Sequence, residues 1–491
     1  MGGFPELVKH MRYKSLYKPN DIYWGLGLEE ETYLQFTKPI YVAAPIIRTC
    51  HAAERYSVKY YTTYDSSYKN AFAAMFTDAS GFYPLPFMVN AHAFTRMDTQ
   101  GNHKTTYEKV PKPNPKFTGK TLFELLESYT PSSKSWCWKK RSAKAKKFID
   151  IFNKNCVFDG DTIEFMTQDF YKAKVDDVVS ELTVSKERLL DSMNTFLKET
   201  KTHRDKGLLM YPTCNPGFVI HYTNPKNVTM FNNGTYHINI TLPTLLGERD
   251  STGIPRIINL KKFDADHRQY IRYIQWLEPF IIAMYGTKDP LSAVSNRFSK
   301  GSQRCAVSRY IGIGTFNTSA EKMVTGKVVT VPIADIHGSG TDFWWYKVYH
   351  EKSGYVPLAE LGMDISYRKH YNHGVEIRFL DWFPETMLKG LMTMYIHLAD
   401  CSLANSTLIE DPILNTRWNE LVVNMLENGK DCKIPAETLA LYEKLFGCSL
   451  SSAFTLAEAD EKGISLEDAY HAIVGTLEEK YSKGQCSKLM L

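Results

Sequence analysis

The stretch GLGLEEETYLQF, Gly25 to Phe36, constrains this chain more than any other, because it sets three consecutive glutamates inside an otherwise apolar, strand-forming run. In a strand, side chains i and i+2 share a face, so Glu29 and Glu31 project one way while Leu28 and Glu30 project the other. The two carboxylates on one face stand roughly 7 Å apart and, at an effective dielectric of about 20, repel by about 2 kcal/mol. A neighbouring lysine or arginine, open water at a solvated edge strand, or a divalent cation with its preference for hard oxygen ligands would each offset that repulsion.

Three further strand-like segments repeat the anomaly. Glu164 sits in TIEFMT, His237 and Asn239 in YHINIT, and Glu376 with Arg378 in VEIRFLD. Taken singly, each has an ordinary reading: a lone histidine is commonly a hydrogen-bonded core or surface residue, and a lone glutamate a rim carboxylate. On one shared sheet they would line a single face with Glu29, Glu31, Glu164, His237 and Glu376. Four carboxylates and an imidazole cannot stay unneutralised in a low-dielectric cleft, and an oxygen-rich donor set suits Mg²⁺ or Mn²⁺ rather than Zn²⁺.

Composition narrows the alternatives. A chain of 491 residues, 43% hydrophobic and 23% charged, reads as an ordinary globular protein with room for two or three packed units. Its net charge of +5 makes no global case for binding nucleic acid or a membrane. The run WKKRSAKAKKF, Trp138 to Phe148, gathers six basic residues and reads as a solvated loop or helix face, with an acidic partner or a nuclear-targeting signal as the alternatives. Nine cysteines without a C-x-x-C pair resemble neither a disulfide framework nor a zinc site, so a reducing, cytoplasmic compartment is expected. Glycosylation sequons at Asn233 and Asn239 fall in an apparent buried strand, which argues the same way. There is no apolar leader and no run near eighteen apolar residues, so neither a signal peptide nor a membrane span is expected. FTGKT, Phe117 to Thr121, ends like a phosphate-binding loop but has Asn114 where the first glycine should stand; Thr121 and Glu124 read instead as a helix-opening capping box.

Along the chain, the opening strand is followed by an aromatic-rich section with a hairpin signal, ending at the proline-rich PKPNPKF. A strand at CVFDGDTIEFMTQDF and an amphipathic helix at KVDDVVSELTVSKERLLDSMNTFLKET come next. Strand signals at GTYHINITLP and CAVSRYIGIGTF bracket a helix at RQYIRYIQWLEPFIIAMYG, and HGVEIRFLDW is the last strand. Beyond Pro384 the pattern is helical to the end, with Ser465 and Asp468 as a second capping box. No internal repeat is evident. The expected division is therefore a body over about 20–384 carrying an insertion at about 40–150, and a helical region over 385–491 packed on it.

Five short motifs carry a family resemblance. GLEEE at Gly27 to Glu31 resembles the strand that opens carboxylate–amine ligases of the glutamate–cysteine ligase type. VEIRFLD at Val375 to Asp381 is similar to the I-E-V-R-F-P-D strand of glutamine synthetases, and NGTYHIN at Asn233 to Asn239 to their N-G-S-G-M-H-x-H stretch, one residue shorter and with Asn239 for the second histidine. RCAVSR keeps the spacing of that family's phosphate-binding arginines at Arg304 and Arg309. IEFMTQDF before a long helix resembles the E-L-V-T-P unit of the amidoligase-like branch, with Gln168 replacing the proline. All five occur in the family's order, spanning roughly Gly25 to Pro384.

The resemblance implies an α+β fold whose curved, mainly antiparallel sheet carries the active site on its concave face, with helices outside. It implies ATP and Mg²⁺ or Mn²⁺ as cofactors, with Glu29, Glu31, Glu164, His237 and Glu376 as metal ligands. Arg304, Arg309 and Arg378 would clamp the transferring phosphoryl group, with His237 and Asn239 beside the nucleotide. The implied reaction joins a carboxylate, on glutamate or a peptide, to an amine through an acyl phosphate; nucleic acid and membrane are not expected partners, and a homo-oligomer is compatible with it. Two rivals stand beside it: a guanidino phosphotransferase, which needs the same arginine-rich ATP cradle, and a non-catalytic binding or structural protein that keeps the sheet. The latter is expected to lose metal carboxylates, and this chain retains them.

Overall fold

The computed structural model describes residues 18–43, 82–89, 156–159, 162–168, 170–200, 204–216, 235–249, 251, 255–287, 301–302, 316–319, 324–325, 365–367, 374–450 and 463–491. Helices and mainly antiparallel sheets are mixed in an α+β architecture. Two compact units divide the chain: the first takes Met1–Arg12, Leu28–Gln168 and Ser180–Tyr236, the second Tyr13–Gly27, Asp169–Val179 and His237–Leu491.

In the first unit, strand β1 (Ile22–Thr32, of which Leu28–Thr32 belongs here) is followed by β2 (Leu34–Ala43), β3 (Phe82–Val89), β4 (Cys156–Asp159) and β5 (Thr162–Met166). The end of β1 pairs antiparallel with β5, which pairs antiparallel with β4. Helix α1 (Val175–Thr200) lies mostly in this unit, and β6 (Leu209–Met210) joins β2 and β3 in a second sheet. Leu182, Leu189, Met193 and Leu197 form the apolar stripe that α1 buries. Asn194 fastens α1 to β6, its amide donating to the Leu209 carbonyl at 3.0 Å and accepting from the Leu209 N–H at 2.7 Å.

The second unit holds β7 (Tyr236–Arg249, of which His237–Arg249 belongs here), β8 (Pro255–Ile257), helix α2 (Leu260–Tyr285), the short strands β9 (Phe316–Asn317), β10 (Val324–Thr325), β11 (Ile365–Tyr367) and β12 (Val375–Ile377), and then helices to the C-terminus. Those are α3 (Leu388–Ala404), α4 (Thr416–Asn428), α5 (Ala436–Phe446), α6 (Leu466–Tyr481) and α7 (Gln485–Met490), with β13 (Lys433–Ile434) pairing β14 (Ile464–Ser465) among them. Strand β12 pairs antiparallel with β7 on one side and β11 on the other. The start of β1 adds to this unit, where Asn20 N–H donates to Leu246 O at 2.9 Å and Tyr23 stacks on Tyr171 at 5.4 Å.

Helix α2 is the centre of the helical layer: every residue from Gln269 to Ala283 is buried, and α3, α4 and α6 pack around it. Its buried stretch includes Arg272, whose Nε donates to Thr318 Oγ1 at 2.8 Å, so this charged side chain is hydrogen-bonded inside the layer. The helix begins at Leu260 rather than at Arg268, because Asn259 caps it by accepting from Lys262 N–H at 2.9 Å while the first turns are charged and exposed. Pro279 does not break it. Proline cannot donate to the carbonyl four residues earlier, and here Trp418 Nε1 donates to that carbonyl, Gln275 O, at 3.0 Å, while Tyr442 hydroxyl serves Trp276 O at 2.8 Å. The Ser465 cap forms as the sequence signals, its Oγ accepting from Asp468 N–H at 3.1 Å.

Candidate functional site

In the first unit the acidic strand resolves into two faces. Across the β1–β5 ladder Glu31 is the register partner of Glu164, and Glu29 of Met166. Register partners in an antiparallel pair share a face, with Cβ atoms roughly 5 Å apart, so Glu29, Glu31 and Glu164 lie on one surface. Glu31 is only 3% exposed and Glu29 is buried as well. Thr235 O accepts from the Glu31 N–H at 2.9 Å.

The other face of β1 is core. Leu28, Phe165 and Ile163 are fully buried there, and Glu30, between the two acidic positions, turns into this apolar layer. Its carboxylate meets Lys186 of α1, with Nζ 2.9 Å from Oε1 and 2.7 Å from Oε2. The Lys186 ammonium also lies 4.8 Å from the centre of the Tyr211 ring, whose hydroxyl donates to the Lys186 carbonyl at 2.8 Å. A counter-lysine is thus present, for the middle glutamate. Glu30 and Lys186 were not among the expected site residues. The signal for Lys186 lay in the helix period, which puts it on the same stripe as Leu182, Leu189 and Met193, where a charge needs a partner.

In the second unit β7 and β12 build a comparable surface. Glu376 is the register partner of Asn239, and the same ladder sets Ile377 opposite Ile238. His237 and Asn239 alternate onto one face of β7, as do Glu376 and Arg378 along the segment that contains β12. Glu376 Oε1 lies 3.8 Å from His237 Nδ1 and 3.8 Å from Arg378 Nε, so one carboxylate oxygen stands between an imidazole and a guanidinium. His237 and Glu376 are each 2% exposed, while Arg378 is partly open.

Gly374 permits this close pairing. A Cβ there would stand 2.3 Å from His267 Nε2 and 2.5 Å from Ile240 O, and the Gly374 N–H donates to Thr241 Oγ1 at 3.0 Å. His267 accepts from Leu242 N–H at 3.1 Å through Nε2 and meets Phe263 O at 2.8 Å through Nδ1, the pattern of a neutral ring bearing its proton on Nδ1. At the end of the VEIRFLD segment, buried Asp381 accepts from Ser302 Oγ at 2.6 Å and from Thr287 N–H at 3.0 Å. It therefore pins the residues that lead toward Arg304 in sequence. Arg304 and Arg309 themselves lie outside the described residues, as do the basic run at 138–148, the Thr121 capping box and most of the expected insertion.

Chemically, the first unit supplies carboxylate oxygens and the second a carboxylate and an imidazole nitrogen, with a guanidinium alongside. Each set by itself fits hard divalent cations or anionic oxygens. Five described cysteines, Cys214, Cys401, Cys432, Cys448 and Cys486, are free, and all but Cys214 are buried. Burial pushes the Cys401 and Cys448 thiols up to about 11 and Cys432 up to about 12. Thiols held that high are poor nucleophiles at neutral pH. Among the described residues no helix is long and apolar enough to cross a membrane.

These features define an α+β protein whose strands present buried acidic residues in register. No family model matches the chain, and no solved structure matches it. An uncharacterized protein of Acanthamoeba polyphaga mimivirus is 35% identical to it over 482 residues, covering 98% of this chain and 79% of the viral protein. This chain belongs to the same family as that viral protein.

Proposed function

We propose that this chain is an ATP- and Mg²⁺-dependent carboxylate–amine ligase, with a glutamine synthetase-like sheet whose concave face is the active site. The observation that carries the reading is the register of Glu31 against Glu164, two acids directly opposite in an antiparallel ladder at positions where the family resemblance calls for metal ligands. Directly opposed like charges destabilise a sheet. A hard divalent cation relieves that cost and suits the donors present.

In this reading Glu29, Glu31, Glu164, His237 and Glu376 hold Mg²⁺ or Mn²⁺, which when bound neutralises phosphate oxygens of ATP. Arg378, with Arg304 and Arg309, grips the transferring phosphoryl group, since a guanidinium fork matches phosphate bidentately. His237 and Asn239 border the nucleotide. An oxygen of the acid substrate attacks the γ-phosphorus and ADP leaves. The amine nitrogen then attacks the acyl carbon of the resulting acyl phosphate and expels inorganic phosphate. The protein's share is to orient the reactants, stabilise charge and keep out water, which would hydrolyse the acyl phosphate. No protein nucleophile is required, in keeping with thiols pushed up by burial. The proposed acid is glutamate or a peptide carboxylate and the proposed compartment the cytoplasm. The insertion at about 40–150 would shape access to a catalytic body over 20–384, with the 385–491 region packed outside it.

The test is direct. Protein is incubated with ATP, Mg²⁺, pooled amino acids and short peptides, and mass spectrometry looks for ADP, phosphate and a product lighter by one water than its two precursors. No substrate-dependent ADP in any pool removes the reading.

A further inference from the structure

The middle glutamate of the acidic strand has a different task from its neighbours. We infer that Glu30, with Lys186 and Tyr211, is a positioning device that fixes the rotation of β1 about its own axis and so holds Glu29 and Glu31 in place for a metal ion. The inference rests on the proposed function for the presence of that ion. Its physical basis is local to the first unit.

A strand that carries buried acids on one face has an obvious way to relieve their repulsion: it rotates or bulges until the carboxylates reach water. Hydrogen bonds of the ladder fix the backbone pairing of β1 with β5, but twist between neighbouring strands still ranges over roughly 10–35° and a bulge can re-aim a side chain. Control of that remaining freedom comes from the opposite face. There Glu30 is 3% exposed and Lys186 6% exposed, and both oxygens of the carboxylate lie within 3 Å of the ammonium. Burying two charges costs far more than packing two apolar side chains of the same size, so stability alone does not call for this pair. What an ion pair adds is direction. Rotating Glu30 away from Lys186 would strand a charge in the layer formed by Leu28, Phe165 and Ile163.

Lys186 is itself held. Its backbone carbonyl accepts from Tyr211 hydroxyl, its ammonium faces the Tyr211 ring, and Tyr211 follows β6, which Asn194 of the same helix grips on both its polar groups. The Tyr211 ring also meets Phe165 of β5 edge-on at 6.1 Å. The anchor for β1 is thus braced against both sheets of its unit. Since Glu29 and Glu31 are the immediate neighbours of Glu30, their angular position follows from it.

The experiment uses the full-length protein freed of metal and reads Mn²⁺ binding by isothermal titration beside the melting temperature. Removing one partner alone, as in Lys186→Met, leaves a buried charge and threatens folding, so the informative variant is Glu30→Leu with Lys186→Met, which fills the site with apolar groups. The double variant is expected to melt at or above the wild-type temperature without metal, yet to bind Mn²⁺ about 10- to 100-fold more weakly, the usual cost of losing support behind a metal ligand. A folded double variant with wild-type Mn²⁺ affinity overturns the positioning role and leaves the proposed function standing. Wild-type protein that binds no Mn²⁺ overturns the proposed function and the inference with it.

Discussion

Glu31 and Glu164 face each other across the β1–β5 ladder, an acid directly opposite an acid, with Glu31 almost entirely buried. Evolution does not need this for folding: any apolar pair would pack there at lower cost. Like charges directly opposite each other carry a cost in the metal-free protein, and a bound cation, or loss of one charge, would lower it.

Glu31→Gln and Glu164→Gln are therefore expected to raise the melting temperature of the metal-free protein or leave it unchanged, while ATP turnover falls by more than the ~10 to 100-fold that loss of a ligand's supporting partner costs. Thermal denaturation in chelator and an ADP assay decide it. Lower stability in chelator together with full activity would remove Glu31 and Glu164 from the site.

Gly374→Ala tests the close approach behind Glu376. With contacts of 2.3 Å to His267 Nε2 and 2.5 Å to Ile240 O awaiting a Cβ, either the imidazole or strand β7 has to shift. A loss of about 1–3 kcal/mol is expected, the usual range for overpacking a filled site. Urea denaturation of the variant reads this directly, and an unchanged midpoint would show that the strands separate more easily than their hydrogen bonds indicate.

What the sequence made legible follows from period and chemistry. Alternation puts Glu29 with Glu31, His237 with Asn239 and Glu376 with Arg378; that Glu164 stands opposite Glu31, and Glu376 opposite Asn239, comes from the ladder registers, which a period of two cannot supply. It could not supply partners. Lys186 is 156 residues from Glu30, and no local pattern links a lysine on a helix stripe to one acid among three. The helix through Pro279 was legible in its apolar run, but not what supports it there: Trp418 and Tyr442, distant in sequence, take the carbonyls at the interruption. The start of α2 was hidden for the opposite reason: its first turns are exposed and charged, so the apolar period begins only after the helix does.

Stability should also fall with acid in a way traceable to His397. This imidazole lies buried between α3 and the C-terminal turn, with Nδ1 3.0 Å from Ser487 Oγ, while Asp400 accepts from the N–H groups of Cys486 and Ser487 at 2.7 Å each. Burial holds its pKa below the ordinary 6.5, against the weaker upward pull of Glu478 and Asp400. A depressed histidine pKa means that the unfolded chain takes up a proton first. Its contribution is thus complete above pH 6.5 and is lost progressively as pH falls from there to the folded value. His397→Asn, which keeps a donor near Ser487 and cannot titrate, should flatten the urea midpoint between pH 7.5 and 5 relative to wild type; identical slopes would assign the acid sensitivity elsewhere.

Thiol chemistry gives a fourth expectation. Of Cys214, Cys401, Cys432, Cys448 and Cys486, Cys214 alone is exposed, so brief labelling of native protein should modify it ahead of the other four, which react after unfolding. Peptide mapping by mass spectrometry checks the order. Fast native labelling of Cys432, whose thiol burial pushes up to about 12, would contradict its placement.

The last expectation separates ligase from phosphotransferase through Arg378. Its Nε lies 3.8 Å from Glu376 Oε1, and its side chain is 23% exposed, so part of the guanidinium fork is open to an anion beside a buried acid. Arg378→Lys keeps the charge and loses the planar fork. A donor aimed at charge that develops in the transition state is worth about 10² to 10³ in rate, about 3 to 4 kcal/mol, so turnover should fall that far while nucleotide affinity holds. With wild-type protein, ATP and the acid substrate, hydroxylamine should trap the acyl phosphate as a hydroxamate, and Arg378→Lys should suppress hydroxamate and ADP together. A phosphotransferase acting on a guanidino group yields no hydroxamate, and a binding protein yields neither product. Hydroxamate formed at the wild-type rate by Arg378→Lys would keep the ligase and move the phosphoryl clamp to other residues.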